Sequence, residues 1–264
     1  MEIISVINQK GGVGKTTTVI NLAAGLSQLK KKILVIDLDP QGNATTGLGL
    51  SNLDNSSDTI YGVLNGSKEI TQVIKKTKFD GLDIITSNVD LSGLEVETAD
   101  DSNRAFILKA KLTTYLNNSR GSYDYVLIDC PPSLSLLTVM ALVSSSSLLV
   151  PLQTEFFALE GLTQLMKTID RIKVNLNPDL KIRGILLTMY DKRNKLSSEV
   201  EKEARDYFNE KVYSTVIPRN VRLSEAPSHG MPVLIYDKSC PGSKSYFNFT
   251  DEFINQELTK ESAA

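Results

Sequence analysis

The chain has 264 residues, 41% of them hydrophobic, no tryptophan and a formal charge of −2. That length fits one large α/β domain or two small ones with a sizeable core, and the near-balance of charge excludes a globally basic nucleic-acid binder while leaving room for a local basic face. No apolar run approaches the ~20 residues that cross a bilayer, and two cysteines, Cys130 and Cys240, are too few for a disulfide scaffold and suit a reducing cytosol.

The N-terminus is expected to enter a strand at once, with no basic or apolar signal region before it. Ile3–Ile7 is a short, nearly continuous apolar run of the kind that forms a buried strand. It leads into Gln9-Lys10-Gly11-Gly12-Val13-Gly14-Lys15-Thr16-Thr17. The Gly-Lys-Thr ending is that of a phosphate-binding P-loop, whose backbone N–H groups cradle phosphates, whose lysine reaches the β/γ-phosphates and whose hydroxyl meets Mg²⁺. The pattern departs from the common one: Gln9 stands where a glycine is usual, and a second lysine, Lys10, follows it. Thr17–Leu29 then places Val19, Ile20, Ala23, Ala24 and Leu26 at helical spacing. The glycines thus sit between strand and helix, where free N–H groups and the helix dipole attract anions. The plainer alternative is an ordinary strand–helix turn. Lys30, Lys31 and Lys32 read as a helix end, where cations favour the dipole.

Ile33–Ile36 reads as the second strand, ending in Asp37-Leu38-Asp39-Pro40-Gln41-Gly42-Asn43. Carboxylates just past a strand's C-terminal end lie at the rim where open α/β sheets bind ligands. Strand alternation points Asp37 and Asp39 the same way, so one can assist Mg²⁺ while the other orients an attacking water. Asp-Pro and Gln-Gly-Asn are also good turn formers, which is the competing account. Gly42–Asp58, rich in Gly, Asn and Ser, reads as a long loop near the nucleotide. Leu82–Thr86 is a strand, Arg104–Leu116 a helix, and Tyr125–Ile128 a buried strand running into Asp129-Cys130-Pro131-Pro132. A carboxylate after a buried strand is the Walker B arrangement for Mg²⁺. The two prolines stiffen the turn, either to sense the γ-phosphate or as strand punctuation.

Further on, Leu134–Val143 is helical and Ser144–Ser147 a small-residue helix end. Leu148–Leu152 is a strand, Ala158–Val174 a helix, Gly184–Met189 a strand and Ser197–Asn209 a helix. Lys192-Arg193-Asn194-Lys195 reads as a solvated basic loop, and Arg219 and Arg222 as cations that pair with carboxylates or contact phosphates. His229, the only histidine, falls in Pro-Ser-His-Gly and reads as a loop residue. Strands alternating with helices predict a mostly parallel, twisted sheet with helices on both faces, an α/β three-layer P-loop NTPase fold. With no linker, repeat or low-complexity segment visible, residues 1–264 are expected to form a single domain, with 250–264 a helical or frayed tail.

Taken together, Lys10 to Thr17, Asp37 to Asn43 and Asp129-Cys130-Pro131-Pro132-Ser133 resemble the deviant-Walker ATPases of DNA segregation, the ParA/Soj proteins and their MinD relatives. The likeness continues through Pro151-Leu152-Gln153, Phe157 to Leu162, Leu187 to Asp191 and Ile217 to Ser228, and the last block is Soj-like. The resemblance implies ATP and Mg²⁺ as ligands. Gly11, Gly12, Val13, Gly14, Lys15, Thr16 and Thr17 would cradle the phosphates, with Lys15 on the β/γ-phosphates and Thr16 on the metal. Lys10 would be the signature lysine that crosses to a partner's ATP, Asp39 would position the water, and Asp37 and Asp129 would lie near the metal. Pro218 and Asn220 would lie against the adenine, and Arg193 and Arg222 would contact DNA without reading sequence. Lys10, Lys15 and Asp39 would form the catalytic set.

The resemblance also implies an ATP-bound homodimer on nonspecific double-stranded DNA, a ParB/Spo0J-like centromere-binding partner, and a cytoplasmic, nucleoid-associated location. The chain resembles the short chromosomal type, without the N-terminal DNA-binding extension of many plasmid homologues. Two departures stand out. Met140 replaces a usual asparagine near the nucleotide, and Phe247-Asn248-Phe249 interrupts an alanine-rich tail near Tyr246. A MinD-like membrane role would need a terminal basic amphipathic helix, whereas Phe249–Leu258 is acidic. An iron–sulfur reductase would need paired cluster cysteines, and a P-loop ligase of the dethiobiotin synthetase kind would need a small substrate to turn over ATP.

Overall fold

The computed structural model describes residues 1–50, 56–118 and 123–261. Part of the expected Gly42–Asp58 loop and the last three residues of the expected tail lie outside that set. One sheet carries eight strands in the order β3-β4-β2-β5-β1-β6-β7-β8. These are β1 (Glu2–Val6), β2 (Ile33–Asp37), β3 (Ile74–Lys76), β4 (Leu82–Ile85), β5 (Tyr125–Asp129), β6 (Ser147–Gln153), β7 (Lys181–Tyr190) and β8 (Val212–Pro218). Every neighbouring pair is parallel except β3 with β4.

The central strands are buried on both faces, which is why they read as unbroken apolar runs. In β2, Leu34 and Ile36 enter one core while Ile33 and Val35 enter the other, and all four are fully buried. One core is closed by α1 (Lys15–Gln28) and, late in the chain, by α12 (Pro241–Glu261). Between β2 and β3 run the short helices α2 (Asn43–Gly47), α3 (Ile60–Leu64) and α4 (Ile70–Val73). The other core is closed by α6 (Ile107–Asn118, preceded by the short α5, Leu94–Glu97), α7 (Leu136–Ser144), α8 (Ala158–Asn175) and α9 (Lys195–Phe208). Two short helices, α10 (Val221–Glu225) and α11 (Val233–Tyr236), link β8 to α12. The result is the expected three-layer α/β/α P-loop fold.

Several expectations shift. The Gly42–Asp58 loop is helical at its start, because Thr45 and Thr46 close the α2 turn by bonding to Asp37 and Gly42. Strands β3 and β8 were not expected: both flank the buried centre and neither is an apolar run. The C-terminal helix begins at Pro241, well before residue 250, and Phe249 and Phe253 within it are fully buried. Phe249 is therefore a core residue, and it leaves the helix unbroken. Met140 is also fully buried, in the core beneath α7, and does not line the large cavity at the carboxyl ends of the strands.

Because the strands run parallel, Val6, Asp37, Asp129, Gln153, Tyr190 and Pro218 all end on one edge. Strand β1 lies between β5 and β6 there, so the loop after it opens into a crevice at the carboxyl ends of the strands.

Candidate active site

Gly12 and Gly14 adopt φ of +75° and +90°, conformations that cost glycine little. The loop after β1 can therefore curl with no Cβ between its backbone and an anion. Gly14 is the N-cap of α1, and no side chain caps the first turn. The leading N–H groups and the positive end of the dipole are left for a phosphate. The loop is held in shape by its neighbours. Lys10 N–H donates to Asn8 Oδ1 at 3.0 Å, Asn8 Nδ2 donates to the Pro151 carbonyl at 2.8 Å, and Thr188 Oγ1 donates to the Val13 carbonyl at 2.8 Å.

The two lysines part company. Lys15 is 7% exposed, and its Nζ donates to the Lys10 carbonyl at 3.0 Å. Burial lowers its pKa, against the pull of Asp129, Cys130 and Asp39. An ammonium so placed gains from phosphate charge. Lys10 points outward instead, half exposed, and forms an ion pair with Glu155 in the turn between β6 and α8.

Three carboxylates collect beneath this loop. Asp37 and Asp129 face each other across β2 and β5, and both are fully buried. Asp37 Oδ2 accepts from Thr45 N at 2.8 Å and Thr45 Oγ1 at 2.7 Å, while Oδ1 accepts from Asp39 N at 3.2 Å. Burial raises its pKa to about 6 although those hydrogen bonds oppose it. Asp129 is pushed well above the ordinary carboxylate range, first by burial and then by the charge of Asp37. Neither of its oxygens completes a well-formed hydrogen bond among the described residues, and the Thr16 hydroxyl and Lys15 ammonium are the neighbours that favour its charge. A buried, uncompensated carboxylate beside a threonine hydroxyl is relieved by a hard divalent cation. The donor set fits Mg²⁺, which takes one or two carboxylates together with phosphate oxygens and water. Asp39 stands apart from the pair: it accepts from Gln41 N at 3.0 Å and faces the crevice.

A cavity of about 990 Å³ opens here, walled by Gly11, Gly12, Gly14, Lys15, Thr16, Thr17, Asp39, Pro218 and Asn220 among others. Lys10, Val13, Asp37 and Asp129 are not in its wall. Asn220 caps α10 through Oδ1, which accepts from Arg222 N at 3.1 Å, so its amide nitrogen is the group left for recognition.

A protein-family model described as an AAA domain matches residues 1–182. The chain is 50% identical over 264 residues to the chromosome partitioning protein ParA of Caulobacter vibrioides, covering 100% of this chain and 98% of that one. It is 47% identical over 251 residues to the sporulation initiation inhibitor protein Soj of Bacillus subtilis, with 95% and 97% covered. This chain belongs to the ParA/Soj family of chromosome-partitioning ATPases. The ParA/Soj fold is shared by a solved structure of cobyrinic acid a,c-diamide synthase from Mycobacterium smegmatis with bound ADP and magnesium. The TM-score is 0.81 and the identity 34%, over 95% of this chain and 93% of that one.

As a ParA/Soj ATPase, the chain holds residues around its site that its sequence alone did not single out. Glu155 pairs with Lys10, Thr45 anchors Asp37 and Thr188 ties β7 to the P-loop. Glu155 falls in the short gap between two of the motif blocks, and no local pattern names its partner. Both arginines considered for DNA lie after strands that end on the cavity edge, and both are held by carboxylates. Arg193 forks Asp191 through Nε (3.1 Å) and Nη2 (3.0 Å) and holds the Asp191 pKa down to about 2. Arg222 meets Glu225 at 2.7 Å and Asp237 at 3.4 Å. His229 ends a 3₁₀ turn, stacks on Tyr236 at 4.9 Å and joins the cavity rim. Cys130 and Cys240 are buried in cores on opposite faces of the sheet, so the two thiols do not lie together.

Proposed function

We propose that this ATPase is a DNA-segregation switch. ATP with Mg²⁺ occupies the cavity, two chains close face to face over two nucleotides, and the dimer binds double-stranded DNA without reading its sequence. Hydrolysis, stimulated by a ParB-like centromere-binding partner, releases it. The observation that carries the reading is the division of labour between Lys15, buried against the phosphate site, and Lys10, outside the cavity wall and held by Glu155. A lysine facing away from its own nucleotide is placed to serve another.

In this reading Lys15 and the N–H groups of Gly11 to Thr17 bind and orient the phosphates. Asp39, the acid in the cavity wall, orients the attacking water. Thr16 and Asp129 hold Mg²⁺, with Asp37 fixing the α2 turn through Thr45, close to the metal but saturated by its own hydrogen bonds. The metal supplies charge compensation on the phosphate oxygens. Pro218 and Asn220 receive the adenine, and Arg193 and Arg222 contact DNA phosphates. The protein acts in the cytoplasm on the nucleoid. A membrane-positioning role has less support, because the aromatic face of α12 is packed into the core. Among the described residues no helix is long and apolar enough to cross a membrane.

DNA binding measured with ATP, ADP or no nucleotide across a salt series tests the switch. Only ATP should give tight, sequence-independent binding that weakens steeply with salt, and Arg222→Glu should lose it while still dimerising. Equal binding in all three nucleotide states would remove the DNA switch. ATP turnover that needs a small carboxylic acid and ignores DNA would favour a ligase.

A further inference from the structure

Among the described residues three non-glycines have positive φ: Lys30, Asn209 and Met189. Lys30 follows the end of α1, where a left-handed residue is usual, and Asn209 is the residue on which α9 ends. Met189, at φ +52°, lies inside strand β7 with no helix end to account for it. Leu187 pairs with Val216 and Tyr190 with Pro218, so β7 takes one more residue than β8 over this stretch and bulges at Thr188-Met189. A bulge re-aims side chains and is common beside active sites. In a regular strand successive residues face opposite sides, yet Thr188 and Met189 both line the nucleotide cavity. The bulge is fastened on both sides: Thr188 Oγ1 bonds the Val13 carbonyl of the P-loop, and Arg219 N donates to the Tyr190 carbonyl at 3.1 Å. A left-handed methionine is a cost to the fold, and strain of this sort persists where its surroundings enforce it, often at ligand clamps.

We infer that Met189 is a base-positioning residue: with Pro218 it forms the apolar wall on which the purine of the bound nucleotide rests. This rests on the reading of the cavity as the ATP site. A flexible thioether adapts to a flat aromatic face and attracts it, whereas the phosphates need only the loop and Lys15. Met189 thus serves the base and leaves the chemistry to the other end of the cavity.

The test compares ATP, ADP and inorganic tripolyphosphate binding by calorimetry in the full chain, for Met189→Gly and Met189→Leu. Met189→Gly removes the side chain and suits the left-handed backbone, so its melting temperature should hold or rise. Its affinity for ATP and ADP should fall about three- to tenfold, with tripolyphosphate unaffected. KM for ATP should rise at unchanged kcat, and Met189→Leu should recover most of the loss. Unchanged ATP affinity in Met189→Gly would overturn the inference, and so would equal weakening of ATP and tripolyphosphate, which would assign the residue to loop shape. Lys15→Ala distinguishes failure of the site itself. It should lose both ATP and tripolyphosphate, and retained binding there would remove the nucleotide site and the Met189 assignment with it.

Discussion

Asp37 shows how a single buried acid can serve the loop that follows it. Its carboxylate is saturated by Thr45 and the Asp39 N–H and has no exposed surface. Its work is to hold the turn that carries Asp39. The arrangement costs stability, because burial raises the pKa to about 6 from about 4 in an unfolded chain. Below both values the folded and unfolded chains are equally protonated. As pH rises from about 4 to about 6, the unfolded chain sheds this proton first, so stability falls across that window and then stays level. Asp37→Asn removes the titration. In metal-free protein its stability relative to wild type should rise through that window, reaching an advantage on the order of 1–2 kcal/mol near neutrality. Urea midpoints at several pH values between 4 and 7 would show it, and parallel profiles would mean that Asp37 carries no such penalty. Loss of the charge that anchors Thr45 should at the same time slow ATP turnover.

At the scale of elements, α12 binds the end of the chain to its beginning. Phe249 is fully buried and meets Tyr213 of β8 edge-on at 4.8 Å, with Tyr246 and Phe253 at 6.5 and 6.1 Å. Phe247, two residues earlier on the same helix and so on its other side, is 41% exposed. Phe249→Ala should therefore cost about 3–5 kcal/mol by cavity formation, while Phe247→Ala should stay within about 0.5 kcal/mol. Urea denaturation separates the two, and similar losses would mean the helix is docked in another rotation. The same contrast explains what was legible in the sequence. Strands β1, β2 and β5 announced themselves because burial on both faces makes them continuous apolar runs. Strand β3 contains Lys75 and Lys76, and β8 carries Ser214 and Thr215 at the sheet edge, so neither produced that signal. The phosphate loop was legible because its chemistry is contiguous in the chain. Glu155 and Thr188 were not, because each acquires its role from a partner brought near only by the sheet order, and Thr45 was not, because its bond to Asp37 forms only when residues 43–47 wind into a helical turn. The Met189 bulge was equally silent, since nothing in Leu-Thr-Met-Tyr marks an extra residue until β8 is laid beside it.

For the whole molecule, the question is what a second chain must break in order to engage. The Lys10–Glu155 pair is open on the lysine side, with side chains 50% and 28% accessible, and solvent-exposed pairs contribute at most about 1 kcal/mol. The carboxylates on Arg193 and Arg222 are similarly open to solvent, so in the proposed DNA complex the dense charge of the backbone would compete with them at low salt. In the proposed dimer, a triphosphate in the partner's site would present more charge to Lys10 than one glutamate does. The lysine should then leave Glu155 on dimerisation at little cost. Lys10→Ala should bind ATP within about threefold of wild type, because Lys15 and the backbone hold the phosphates of the same chain. It should fail to dimerise with ATP when followed by analytical ultracentrifugation, and should lose DNA binding as a consequence. Glu155→Gln should have the opposite effect, forming the ATP dimer at a protein concentration up to about fivefold lower. A Lys10→Ala protein that still dimerises with ATP would mean that its interface closes without the lysine, and the division of labour between the two lysines would have to be abandoned.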